Sequence, residues 1–354
     1  QASYDLLLAQ AEHMVPVDPK LASRILVTAS RAGSFRFDST ATVALAERAL
    51  ALVDGDGGAE ELDAEIAVIA ARMLVMRPPD ERDVRLVARA AARLERPALR
   101  TACDEGPWIA YCLALHERDE AARSLSDQLL AEARAAGDVL HLSYRLCARA
   151  ALEQATGRLD SAWAFAAESV ALSREIGDPF RISEAYWILA EVESARGNVA
   201  ETQEALGSVH ERTPWNEGWA LGIAHLACGQ FEQAIPHLGA SAEQVDRGEV
   251  SRAWYHLVPL ELAEAYLRAG RRHDADVLLR RDASAIESCP LARPRAKLAR
   301  VRALGAPEAR IDTAFAAALF LLDEVPQHLE RGRVELGWGE RLRESGRSAD
   351  AVVH

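Results

Sequence analysis

The sequence predicts an all-α solenoid of about nine helix-turn-helix pairs, and three observations predict it. Ala, Leu, Glu and Arg dominate the chain, all good helix formers. A Gly followed five positions later by a small residue recurs at Gly157/Ala162, Gly197/Thr202, Gly229/Ala234, Gly270/Ala275 and Gly346/Ala351. The residue run before each Gly is amphipathic at helical spacing, as Leu262, Ala263 and Tyr266 show before Gly270.

The recurrence sets the period. With a degenerate copy at Glu117/Ala122, the anchors fall at 117, 157, 197, 229, 270 and 346, so the spacings are 40, 40, 32, 41 and 76. The last gap is two units, with the missing anchor expected near Gly305. Upstream, Gly33 lies 84 residues before Glu117, again two units, with a divergent copy near Arg77 and Asp80. The Gly permits a tight turn between two helices. The small residue lets the second helix pack closely on the first. One such pair cannot bury its own apolar face, so neighbours must stack.

Gly137-Asp138 and Gly177-Asp178-Pro179 are expected to end second helices and cap the next first helix. Pro214 fits a first helical turn, Pro236 is placed in the first turn of its second helix, and Pro259 should kink or start a helix. The chain divides by motif quality into divergent repeats over 1–100, well-formed repeats over 101–282 and C-terminal repeats over 283–354. Residues 219–241 carry Leu221, Gly222, Gly229, Phe231 and Ala234 in register. This copy resembles the tetratricopeptide consensus, and the resemblance implies a right-handed superhelix with first helices lining its concave side.

The totals bound the function. The 354 residues are 49% hydrophobic and 27% charged, a globular balance, with a formal net charge of −13. An acidic chain does not attract nucleic acid as a whole. One stretch departs from this: between Arg268 and Arg310 there are 11 Arg or Lys against 5 Asp or Glu. Its centre, Arg293, Arg295, Lys297, Arg300 and Arg302, is a candidate docking patch for an acidic partner domain, set against the plainer reading of a solvated helical face. Five cysteines without a C-x-x-C pair point to reduced thiols and a cytoplasmic protein. No apolar run reaches the length of a membrane span. The chain starts at Gln1 and stops at His354 inside a repeat, and is expected to be a piece of a longer protein.

Catalysis is not expected, because no H-E-x-x-H, G-x-S-x-G or phosphate-loop motif is present. The loop at residues 54–58 has Gly58 and Ala59 where a calcium loop needs an oxygen ligand and Gly, so it reads as a plain loop. The aromatics carry the sharper signal. Aligned on the Gly anchors, Tyr111, Tyr144, Trp187 and Trp219 fall on the concave side, with Cys147, Glu191, Ile223 and Glu264 beside them. Such a row suits a sugar, a drug-like metabolite or a peptide, the Glu residues orienting hydroxyls or a cation. The competing reading is that these side chains fill gaps between adjacent pairs.

Two phrases carry a family resemblance. Residues 172–180, LSREIGDPF, resemble the inter-repeat linker of large bacterial signalling regulators. Residues 330–347, ERGRVELGWGERLRESGR, are similar to the segment before the DNA-binding domain of the large ATP-binding LuxR-type (LAL) transcription regulators. The resemblance implies an effector-sensing and protein-interaction array that controls an ATPase module and a helix-turn-helix domain. This chain has no phosphate loop, so it needs no cofactor of its own, and ATP is expected in a neighbouring domain. The expected partners are a small-molecule or peptide effector and the ATPase module, with no nucleic acid or membrane bound directly. The alternative is a standalone scaffold that holds a peptide or a helical protein partner.

Overall fold

The computed structural model describes residues 2–34, 39–73, 79–102, 106–210, 214–246, 257–325 and 327–354. These residues form nineteen α-helices and no strand. They divide into two compact units, one running to Ala136 and the other comprising Gly137–Asp246 and Leu257–His354. This boundary follows packing and does not coincide with the division by motif quality at residues 100 and 282.

In unit one, α1 (Ala2–Met14) packs on the pair α2 (Pro19–Ser34) and α3 (Ser39–Ala51). The pair α4 (Ala59–Met73) and α5 (Glu81–Leu94) follows, then short α6 (Pro97–Ala102), then the pair α7 (Gly106–Leu115) and α8 (Asp119–Ala136). The loop at residues 54–58 is tied down by protein groups: Gly57 N donates to Glu61 at 2.6 Å, and Lys20 meets Asp56 at 2.9 Å.

In unit two the pairs are α9 (Val139–Ala155) with α10 (Leu159–Ile176), α11 (Pro179–Arg196) with α12 (Val199–Gly207), α13 (Pro214–Ala227) with α14 (Phe231–Asp246), α15 (Val258–Arg268) with α16 (Arg272–Glu287), and α17 (Ala292–Leu304) with α18 (Ile311–Asp323). The last first helix, α19 (His328–Glu344), is followed by a 3-10 turn at Asp350–Val352 in place of a second helix. Successive first helices of unit two pack side by side. The described residues thus hold nine first helices, three in unit one and six in unit two. The short spacing of 32 arises because α12 has 9 residues where α10 has 18.

Five of the pairs turn in the same way, whereas at Gly305, where a further anchor was expected, the α17–α18 turn has φ −89° and is not left-handed. Gly157 has φ 79°, its N–H donates to Gln154 O at 3.0 Å, and Arg158 N donates to Glu153 O at 2.8 Å. This is a Schellman ending, which closes the last carbonyls of a helix by reversing the chain at one left-handed residue. The same two bonds recur at Gly197, Gly229, Gly270 and Gly346. Glu117 occupies the position without glycine: its φ is 63°, with Arg118 N donating to Leu113 O at 2.9 Å. The small residue five positions on is fully buried at Ala122, Ala162, Thr202, Ala234 and Ala275.

Between pairs, Gly177 is left-handed and Asp178 caps α11 by accepting Phe180 N at 2.8 Å, with Pro179 in the first turn. Pro214 and Pro259 begin helices, as their spacing predicted. Pro236 differs: it lies inside α14, past the first turn, and removes the amide that would bond to Glu232 O. The 330–347 phrase closes unit two structurally. Gly337 lets α19 approach Phe315, and Trp338 stacks on Phe315 at 5.9 Å and on His354 at 3.9 Å while donating to Asp312.

Two substitutions test this architecture. Glu117→Gly relieves a left-handed L-residue and should raise stability by roughly 0.5–1 kcal/mol in urea denaturation. Gly222→Ala should lower it by about 1–3 kcal/mol, because a Cβ there would lie 2.6 Å from Leu238 Cγ and 3.1 Å from Leu238 N.

Candidate functional site

The inner face of unit two is built by its first helices, and it falls into two chemically different halves. On α9, α11 and α13 it is aromatic. Arg181 covers the buried ring of Tyr144 with its guanidinium carbon 4.6 Å from the centroid. Cys147, one turn along α9, is buried with its thiol 3.8 Å from Glu184 O. Burial pushes that thiol well up, so it packs as a small apolar group and is no nucleophile. Trp187 and Trp219 meet across α11 and α13 with ring centroids 6.3 Å apart, tilted by 48°. Trp219 is buried, whereas Trp187 and Ile223 are half-exposed. Glu191, one turn beyond Trp187, is buried, and burial raises its carboxyl pKa to about 8.

On α15, α17 and α19 the inner face is ionic. Arg300, fully buried, donates to Glu264 and to Glu330, each at 2.5 Å. Arg333 donates to Glu261 at 2.8 Å and to Glu264 at 2.6 Å. Arg268 donates to Glu264 at 2.9 Å and pairs with Glu340, while Lys297 pairs with Glu261. Burial alone would raise both carboxyls of α15, but the cations outweigh it. Arg333 and Lys297 bring Glu261 down to about 2, and Arg300, Arg333 and Arg268 hold Glu264 well below the usual carboxylate range. Arg300 Nη2 is buried without an acceptor among the described residues, a cost the network carries.

The candidate residues thus separate. Trp187, Glu191, Trp219 and Ile223 stand together on α11 and α13, with Tyr144 and Cys147 on adjacent α9. Tyr111 belongs to unit one, where it is buried edge-on to Trp108 at 5.7 Å. Two expectations need correction. Glu264 does not face an open groove: three arginines from three first helices occupy its carboxylate. The basic patch is not a free docking surface either. Arg300 is sealed in the core and Lys297 is neutralised by Glu261. Arg295 is half-buried and bonds Leu291 O at 3.1 Å, Arg293 is half-buried, and exposed Arg302 pairs with Glu287. A local charge count misses this because the acids that neutralise Arg300 and Lys297 lie 30 to 36 residues away. Sequence reasoning passed over Glu261, Arg268, Glu330, Arg333 and Glu340. Their signal was opposite charges recurring at repeat-length intervals on three first helices. Among the described residues no group of His, Cys, Asp or Glu is placed to hold a metal. None of the described helices is long and apolar enough to cross a membrane.

No family model matches the chain, and no curated protein matches it. It is similar in structure to Rap protein complexed with competence and sporulation factor, at 12% identity and a TM-score of 0.63, over 94% of this chain and 95% of that one. It also matches a signal transduction ATPase with numerous domains from Pyrococcus horikoshii that carries a tetratricopeptide repeat sensor, at 14% identity and a TM-score of 0.44, over 93% of this chain and 55% of that one. The first likeness spans nearly the whole array and, with the recurring turns, places the chain among all-α solenoids of the tetratricopeptide type.

The buried acids of the two halves have opposite linkage to pH. Glu261 and Glu264 stay charged in the fold, so they stabilise it above about pH 4.5, and that contribution is lost as pH falls toward about 2. Glu191 keeps its proton up to about 8, so its favourable contribution is full below about 4.5 and is lost as pH rises through 8. Glu264→Gln should cost about 3–5 kcal/mol near neutral pH and fall closer to the parent in acid. Glu191→Gln should match the parent near pH 4.5 and exceed it in mild alkali. Urea titrations across that range check both signs.

Proposed function

We propose that this chain is the effector-sensing and protein-interaction array of a LAL-type transcription regulator, acting on an ATPase module and a DNA-binding domain that lie outside it. The observation that carries the sensing role is the aromatic half of the inner face. Trp187 and Ile223 keep accessible surface beside buried Trp219, and Glu191 lies one turn from Trp187. Rings supply flat apolar area at low entropy cost, and a carboxyl at their edge, protonated below about pH 8, selects for a hydroxyl or carbonyl by hydrogen bonding. The effector is a small molecule or a peptide. The 172–180 and 330–347 phrases support the regulator assignment, and the Rap structure shows an array of this fold complexed with a factor. ATP belongs to the neighbouring module, and a chain of net charge −13 makes no direct contact with nucleic acid. The protein works in the cytoplasm, with its thiols reduced.

The test is thermal unfolding with a panel of sugars, metabolites and short peptides on the parent and on Trp187→Ala. A ligand at a hundredfold excess over its Kd stabilises the fold by about 2.7 kcal/mol, enough to raise Tm by a few degrees. The expected result is a shift in the parent that Trp187→Ala loses. An equal shift in both would move the site off this face. Pull-down of the ATPase module by the array is the second expected result. Capture of a different protein, with no effect of any compound, would favour the standalone scaffold.

A further inference from the structure

Five of the turn glycines face nothing of a distant segment. At Gly137, Gly177, Gly270 and Gly346 a Cβ would meet no atom within 4 Å, and at Gly229 only the ring of Phe231 in its own turn. Gly157, in the turn between α9 and α10, is different. A Cβ there would overlap Gln327 Oε1, and it would lie 2.9 Å from Leu329 Cβ and 3.1 Å from Leu329 N. Next to it, Gln327 Nε2 donates to Ala155 O at 2.8 Å. The partners are 172 residues apart and belong to the first and last first helices of unit two.

This contact is built at some cost. Gln327 is the N-cap residue of α19, yet its side chain makes no cap bond and reaches instead for Ala155. Its Oε1 is buried with no donor among the described residues. An unsatisfied buried acceptor offsets most of what one amide–carbonyl bond contributes. The close approach is therefore tight in space and weak in net energy. Elsewhere α19 is held by the ionic network to α15 and α17, and α9 by its own pair and by α11. Neither helix needs the contact to stay folded.

We propose that residues 155–157 and 327–329 are a closure contact, by which unit two fastens the two ends of its own array and which opens without unfolding either end. Because the contact joins the first and last first helices, its opening widens the inner face between them. Anything that enters that face and prefers the wider form shifts the balance toward opening. The proposal does not depend on what the effector is or on whether one binds.

The experiment measures the distance between spin labels at Asp160→Cys on α10 and Arg331→Cys on α19, whose side chains reach solvent, in a background of Cys228→Ser, the exposed thiol among the described residues, and Cys103→Ser, which lies outside them. The parent should give a short, narrow distribution. Gly157→Asn, which tolerates the left-handed turn but fills the space of Gln327, should lengthen and broaden it. Gln327→Ala, which removes the bond without a clash, should broaden it too. Gly270→Asn, the same change at a turn with open space, should leave the distance as in the parent. Each variant's Tm reports that it folds. A parent distribution retained in both Gly157→Asn and Gln327→Ala overturns the closure, as does an equal shift in Gly270→Asn.

Discussion

The structure depends on one constraint that recurs in five of its pairs, the reversal of the chain at a single left-handed residue between the two helices. A Schellman ending fixes the direction in which the second helix leaves, and the fully buried small residue five positions later fixes how close it comes. Once those two are set, the pair has one apolar surface left over, and only another pair can cover it. The side-by-side packing of first helices in unit two follows, and with it the inner face they share. Glu117 shows how firmly the geometry is imposed: an L-residue accepts a left-handed φ of 63° and the turn is otherwise unchanged.

On that inner face, position relative to the turn does not decide the chemistry; the neighbours do. Glu191 and Glu264 each stand six residues before their Gly, at equivalent places in successive arrays of first helices. Both are buried. Glu191 is desolvated by burial and holds its proton to about 8. Glu264 is met by guanidinium groups from its own helix and from the next two, and stays ionised. One carboxyl is kept neutral and the other is neutralised, two solutions to the same desolvation cost.

Much of the fold was legible because its signal is local. The Gly and small-residue pattern gave the turns, the number of first helices and the caps at Asp138 and Asp178. The position of Pro236 was misjudged because α14 begins at Phe231, which makes the proline its sixth residue, past the first turn. The inner face was less legible. Anchoring on Gly placed Trp187, Trp219, Glu191 and Ile223 on the two helices α11 and α13 that pack together, since helical phase is carried by sequence. It could not show how deeply each is buried, which is set by the next helix. The basic run at residues 293–302 failed for the same reason: Arg300 reads as a surface charge until Glu264 and Glu330 are placed against it. The fastening at Gly157 has no signature in sequence, because this glycine is required by its turn in any case.

The ionic network also limits how this array can change in length. Solenoids commonly gain and lose whole repeats, since each unit touches only its neighbours. Across α15, α17 and α19 that freedom is restricted, because Arg333 reaches past α17 to Glu261 and Glu264, two repeats away in the chain. Excising the α17 repeat would remove Arg300 and Lys297 together and bring Glu330 toward Glu261 and Glu264, three buried carboxylates facing Arg333 and Arg268. The three repeats therefore stand together, because loss of any one leaves buried charge uncompensated in the others.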